Sequence, residues 1–228
     1  MAKAAASKAS GARAARDVAP DFLFDGPKNA TLTLILAHGA GAPMDSAFMN
    51  VFAEGVARAG IRVARFEFPY MAERRKSGKK RPPDSANTLL ATFRAAAAAF
   101  EGKAFAIGGK SMGGRIASMV ADEVGANALV CLGYPFHPPG NPPKPGQGTS
   151  RTEHLMTLKT PTLILQGTRD PFGGRDEIAK LKLPKSIRVR WLEDGEHSFK
   201  PRKASGRTEE QNLAEAIDAA VAFLKPLI

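Results

Sequence analysis

Ala104-Phe105-Ala106-Ile107-Gly108-Gly109-Lys110-Ser111-Met112-Gly113-Gly114-Arg115-Ile116 is the stretch on which the reading of this chain turns. A short apolar run leads into Gly-x-Ser-x-Gly, and a helical pattern follows at once. A serine on so tight a strand-to-helix turn is held in a strained conformation, with its hydroxyl pushed out of the sheet. Gly109 and Gly113 remove the side chains that would collide across the turn. Ser111 then opens the next helix, where the backbone N–H of Met112 can face a developing negative charge. A phosphate-binding loop ending in Gly109-Lys110-Ser111 is the competing reading. Its first glycine would fall on Ala104, and the residues before Gly108 are apolar and strand-like, unsuited to wrapping phosphates.

Outward from this stretch, apolar runs alternate with helical patterns. Phe22-Leu23-Phe24 reads as a short edge strand and Thr31–Ala37 as a buried one. A helix is expected from about Asp45 to Ala59, with Phe48, Val51, Phe52 and Val56 on one face and Gly60 as its stop. Ile61–Phe68 reads as a strand, and Met71–Pro83 as a basic loop. Asp84 or Ser85 then caps a helix bearing Leu89, Phe93, Ala97 and Phe100. Further strands are expected at Ala128–Leu132, Thr162–Gln166 and Ile187–Leu192, with a Pro/Gly-rich loop over Tyr134–Ser150 and a short helix at Arg175–Leu181. Thr208-x-x-Gln211 is a capping box opening a C-terminal helix with Leu213, Ile217, Val221 and Leu224 on its core face. The alternation predicts an α/β fold, a mostly parallel sheet with helices on both faces. No insertion after Leu132 is long enough for a cap domain, so an open site is expected.

The 228 residues suffice for one such domain, expected over 20–228 after a disordered basic tail at 1–19. Net charge is +11. Most of the excess sits in two segments: Lys3, Lys8, Arg13 and Arg16 near the start, and Arg74, Arg75, Lys76, Lys79, Lys80 and Arg81. The remainder is close to balanced, which argues against a basic face for nucleic acid. The single cysteine, Cys131, lies in an apolar run and permits no disulfide within the chain, as expected in the reducing cytoplasm. No run reaches membrane-spanning length, and the opening residues lack the apolar core of a secretory signal. His137 and His154 show no ligand spacing, so neither metal nor cofactor is expected.

In a parallel α/β sheet the functional residues gather on loops at the carboxyl ends of the strands. Those loops carry His38-Gly39-Ala40-Gly41, Ser111, Asp170 and His197. A serine hydroxyl is a poor nucleophile at neutral pH and needs a base, for which His197 is placed. A carboxylate must orient that imidazole, for which Asp170 is placed. Asp170 could instead cap the turn through Pro171, and Asp194 is a rival third member. Backbone N–H groups of Ala40 and Gly41 can join that of Met112 in an oxyanion hole, with His38 bracing their loop. Lys110 and Arg115 flank the serine, and Lys79, Lys80 and Arg81 also follow a strand end. Lys110 and Arg115 are expected to be solvated, to form a structural pair or to favour anionic substrates, and Lys79, Lys80 and Arg81 either to be solvated or to favour anionic substrates.

On the four motifs His38-Gly39-Ala40-Gly41, Gly109–Arg115, Gly167-Thr168-Arg169-Asp170 and Gly195-Glu196-His197, the chain from about Leu32 onward resembles a small cap-less α/β-hydrolase. It is similar to the dienelactone-hydrolase-like branch and most closely resembles the testis-expressed and NSL-complex hydrolase-like proteins. The resemblance implies a Ser111 nucleophile, His197 base and Asp170 orienter; a serine hydrolase of small-molecule esters or thioesters that needs no cofactor is the expected function. It implies no particular substrate. Dienelactone hydrolase uses a cysteine where this chain has Ser111. A catalytically weak scaffold that binds a partner is the alternative; nucleic-acid and membrane partners are not expected, and oligomeric state is left open.

Overall fold

The computed structural model describes residues 19–140, 142–144 and 147–228. The basic tail expected at 1–19 lies almost wholly outside the described residues.

Seven strands form one sheet: β1 (Phe22–Asp25), β2 (Leu32–Ala37), β3 (Arg62–Phe66), β4 (Ala104–Lys110), β5 (Leu129–Leu132), β6 (Thr162–Gly167) and β7 (Ile187–Leu192). Their order is β1-β3-β2-β4-β5-β6-β7. All pairs are parallel except β1 with β3, so the expected edge strand is present and antiparallel. The helices are α1 (Ala47–Arg58), α2 (Pro69–Ser77), α3 (Ala86–Ala98), α4 (Met112–Val120), α5 (Arg175–Ile178) and α6 (Glu209–Leu224).

Strand periodicity divides the core in two. Ile35, Ile107, Leu129 and Cys131 point to the side covered by α3 and α4, against Phe93, Ile116 and Tyr134. Leu34, Leu36, Val130 and Leu132 point to the side covered by α1 and α6, against Phe52, Val56, Ala216 and Leu224. Cys131 is fully buried there, which raises its thiol pKa and leaves it a packing residue. The strands' near-continuous apolar runs follow from burial on both faces.

Two local expectations are refined. Part of the basic segment is helical: Pro69 opens α2 at its first turn, Gly78 closes it in the left-handed region, and Arg74, Arg75 and Lys76 lie in its last turn, where cations suit the helix dipole. Of the two proposed caps for α3, Ser85 accepts the N–H of Thr88, whereas Asp84 accepts the N–H of Tyr70 on α2. The connection from β5 to β6 holds only irregular chain and a short 3-10 turn at Glu153–Thr157 among the described residues, with no cap.

The chain moves one way from β2 to β3, then crosses back past β2 and proceeds the other way from β4. The reversal therefore opens between the carboxyl ends of β2 and β4, where His38–Gly41 and Ser111 lie, the place where such sheets form crevices.

Candidate active site

Ser111 occupies φ 52, ψ −116, between the end of β4 and the first residue of α4. That region is costly for a side-chain-bearing residue and is tolerated only when its surroundings enforce it. Here they do. A Cβ on Gly109 would lie 2.5 Å from the carbonyl carbon of Gly113, and one on Gly113 would lie 2.5 Å from the His38 carbonyl oxygen. Strand and helix backbones thus pack with no room for either side chain, and the serine is lifted out at the apex.

The serine Oγ lies 2.8 Å from His197 Nε2. On the other side of the ring, Nδ1 lies 2.9 Å from Asp170 Oδ2 and 3.1 Å from Oδ1. The Asp170 side chain is fully buried and that of His197 is 18% exposed. The carboxylate also accepts the Phe172 N–H at 2.9 Å and the Gln166 side-chain amide at 2.9 Å. Those two donors and the His197 N–H saturate one face of the acid and set its plane. Gln166 is fully buried at the end of β6; its amide also spans the Tyr134 backbone and the Gly173 carbonyl. Sequence reasoning missed it. Its signal was a polar side chain inside an otherwise apolar strand. The Phe172 ring packs against His197 with centroids 4.3 Å apart.

Asp194, the rival acid, is engaged elsewhere. Its carboxylate receives the Arg202 guanidinium and backbone N–H and pairs with Arg169. Hydrogen bonds from Arg202 hold its carboxyl well below the usual range. It makes no hydrogen bond to the His197 ring, whose nitrogens bond Asp170 and Ser111.

The loop after β2 is fixed by its carbonyls. His38 is fully buried; its Nε2 accepts the Phe68 N–H, so Nδ1 carries the proton and donates to the Gly39 carbonyl. Burial lowers its pKa and keeps it neutral. The Tyr70 hydroxyl lies 2.9 Å from the Ala40 carbonyl, and Arg74 donates to that of Gly41. With those oxygens held away, the N–H groups of Ala40, Gly41 and Met112 bond to no described residue. α2, expected as loop, supplies two of these three braces.

Of the readings open for Lys110, the structure shows a structural contact rather than a solvated or substrate-facing side chain. It is 9% exposed, its ammonium donates to the His197 carbonyl at 2.8 Å, and it lies over the Phe48 ring. Burial pushes its pKa down to about 8 against the opposing pull of Asp170 and Glu196. Lys110 therefore ties the nucleophile strand to the loop bearing the base. Lys79, Lys80 and Arg81 are exposed beyond α2 and form no ion pair with a described residue. Arg115 starts the second turn of α4 and is half-buried.

A second serine–histidine contact, Ser118 Oγ to His154 Nε2 at 2.8 Å, differs in kind. The Ser118 proton goes to the Arg115 carbonyl, so His154 is the donor rather than a base toward that serine. The described residues place no carboxylate on His154, and Ser118 sits inside α4 at 3% exposure.

Comparison with known proteins agrees with this architecture. No curated protein matches the sequence. Among solved structures, the chain is similar to XC6422 from Xanthomonas campestris, described as an a/b serine hydrolase without lid (TM-score 0.68, 16% identity, 91% of this chain and 89% of that one). It is similar to a dienelactone hydrolase from Anabaena variabilis (TM-score 0.67, 20% identity, 89% of each chain). It is also similar to Est1E from Butyrivibrio proteoclasticus, solved with ferulic acid bound (TM-score 0.67, 15% identity, 91% and 94%). At these identities the likeness is one of fold. A family model described as an alpha/beta hydrolase domain matches residues 30–225, which is most of the chain, and the protein belongs to that family.

Proposed function

We propose that this hydrolase cleaves carboxylic esters or thioesters of small molecules through an acyl-Ser111 intermediate. The observation that carries the reading is the continuous relay Ser111 Oγ–His197 Nε2–Asp170, at 2.8 and 2.9 Å, on a serine held at φ 52. His197 takes the Oγ proton as the oxygen attacks the substrate carbonyl, and Asp170 stabilises the resulting imidazolium. The negative charge on the carbonyl oxygen is received by the N–H groups of Met112 and of Ala40 or Gly41, which are otherwise uncommitted. Collapse of the tetrahedral species expels the alcohol or thiol, which takes the proton back from His197. Water then gives its proton to the same nitrogen and attacks the acyl carbon, releasing the acid and the free serine. The lack of a cap over the site among the described residues suits small, accessible esters.

Intact mass after treatment with a fluorophosphonate tests the reading. One adduct is expected on the wild type and on Ser118→Ala, and none on Ser111→Ala. Folded wild-type protein that gains no adduct and turns over no activated ester would overturn it and favour a scaffold.

A further inference from the structure

Arg115 and Arg151 are without an acidic partner among the described residues. Arg115 leaves its Nε buried and unpaired, and its guanidinium makes neither hydrogen bond nor ion pair with a described residue. Burial first, and the Arg115 guanidinium second, lower the pKa of Arg151. Its one side-chain bond is a long one, 3.3 Å to the His137 carbonyl. Both arginines border Tyr134, whose hydroxyl donates to the Arg151 carbonyl and reaches Ser118 and His154. Neither acid of the flanking segments pairs with them: Glu177 pairs with His137, and Glu153 is exposed. His154 is held neutral, by burial first and Arg115 second, with its pKa down to about 4. Elsewhere among the described residues, Arg65 is matched by Asp25 and Arg207 by Glu215, while Arg62, whose Nε is also buried without a hydrogen bond, lies over the Phe24 ring. Two partly buried guanidiniums with no acid paired to them among the described residues lose hydration that one long hydrogen bond only partly replaces, a cost that a bound anion removes.

Their place relative to Ser111 gives the cluster a use. The Arg115 N–H bonds the Ser111 carbonyl, so the two residues are one helical turn apart, about 5.4 Å. Side chains on a helix lean toward its N-terminus, here toward Ser111. Resting on the esterase reading above, we infer that Arg115 and Arg151 form a subsite for an oxyanion carried on the acyl group of the substrate. The substrates are then half-esters of short dicarboxylic acids, or acyl groups bearing a phosphate at similar reach. Roughly two to four methylene groups span one helical turn between carbonyl and anion. A fork of guanidinium donors binds either group in bidentate fashion.

The test compares mono-p-nitrophenyl glutarate with p-nitrophenyl butyrate on the wild type, Arg115→Met, Arg151→Met and Arg115→Lys. The ratio of kcat/KM for the glutaryl over the butyryl ester is expected to fall about 10–100-fold in either Met variant, through KM, the range for losing a charge-assisted bond. Arg115→Lys should recover part of it. An unchanged ratio overturns the inference while leaving the esterase reading intact. Binding is read separately from turnover by the Tm of the wild type and Arg115→Met with glutarate or with inorganic phosphate. A rise in the wild type that Arg115→Met loses supports the subsite even if no ester is hydrolysed, and the anion giving the larger rise identifies the source. No rise with either anion overturns it.

Discussion

Two regions flank the amino end of α4, and they treat polar groups in opposite ways. On the side facing β6 and the last loop, each member of the relay is answered: Ser111 by His197, His197 by Asp170, Asp170 by Gln166 and the Phe172 N–H, and the His197 carbonyl by Lys110. On the side facing the loop after β5, Arg115 and Arg151 are linked through Ser118, Tyr134 and a neutral His154, and no acid among the described residues pairs with either arginine. A satisfied network holds its geometry before substrate arrives, which is what a reaction with fixed donors and acceptors needs. An unsatisfied one stores an unfavourable charge that a ligand relieves. The first region is suited to chemistry and the second to selection.

The largest expected effect comes from breaking the satisfied side. Asp170→Asn keeps the shape of the acid but sets an amide among three donors, forcing His197 into the wrong tautomer. We expect kcat to fall by about 10³–10⁴ with little change in Tm, measured by steady-state hydrolysis of an activated ester. A fall below tenfold would mean that the relay is not in use. Next is the turn that lifts Ser111. Gly113→Ala puts a Cβ against the Ala37 and His38 carbonyl oxygens, at 2.7 and 2.5 Å, neither of which can yield cheaply. Destabilisation by about 3 kcal/mol is expected, a loss in Tm of about 6–12 °C by calorimetry, together with loss of fluorophosphonate labelling.

The smallest effect sharpens the contrast at Lys110, a buried cation on the satisfied side. Its pKa of about 8 in the fold lies below its ordinary value of 10.5. Between those two pH values the unfolded chain binds the extra proton, so stability rises with pH there, and the charged form is the costly one below pH 8. Lys110→Met should therefore compare more favourably with the wild type at pH 7 than at pH 10.5, by about 2–3 kcal/mol in urea unfolding. A difference that does not vary with pH would mean that the hydrogen bond to the His197 carbonyl fully offsets the burial. Because that bond positions the base, the same variant should also lower kcat for neutral and anionic esters alike, unlike the arginine variants.

Much of this was legible in order along the chain. The alternation of apolar runs and helical patterns predicted the sheet, and Ile187–Leu192 matches β7 residue for residue. Phe22–Phe24 was recognisable as an edge because it is short and closed by Asp25-Gly26-Pro27. The serine turn, the acid after β6 and the histidine after β7 could be named because each follows a strand end, and strand ends in a parallel sheet share one side. Basic residues misled: Met71–Ser77 read as loop because its charges masked a helix that Pro69 and Gly78 delimit.

The sequence by itself determined the layer order, the identity of the strained serine and the set of groups able to meet at it. These depend on local periodicity, backbone sterics and chain direction, all of which act within a few residues. Only the tertiary structure decided between Asp170 and Asp194, turned Lys110 toward the His197 loop, engaged Gln166 with the acid, and set Arg151 beside Arg115. Those outcomes depend on which long-range partner reaches a charge or a hydrogen-bonding group first. That is settled by packing across distant segments and leaves no mark on residue spacing.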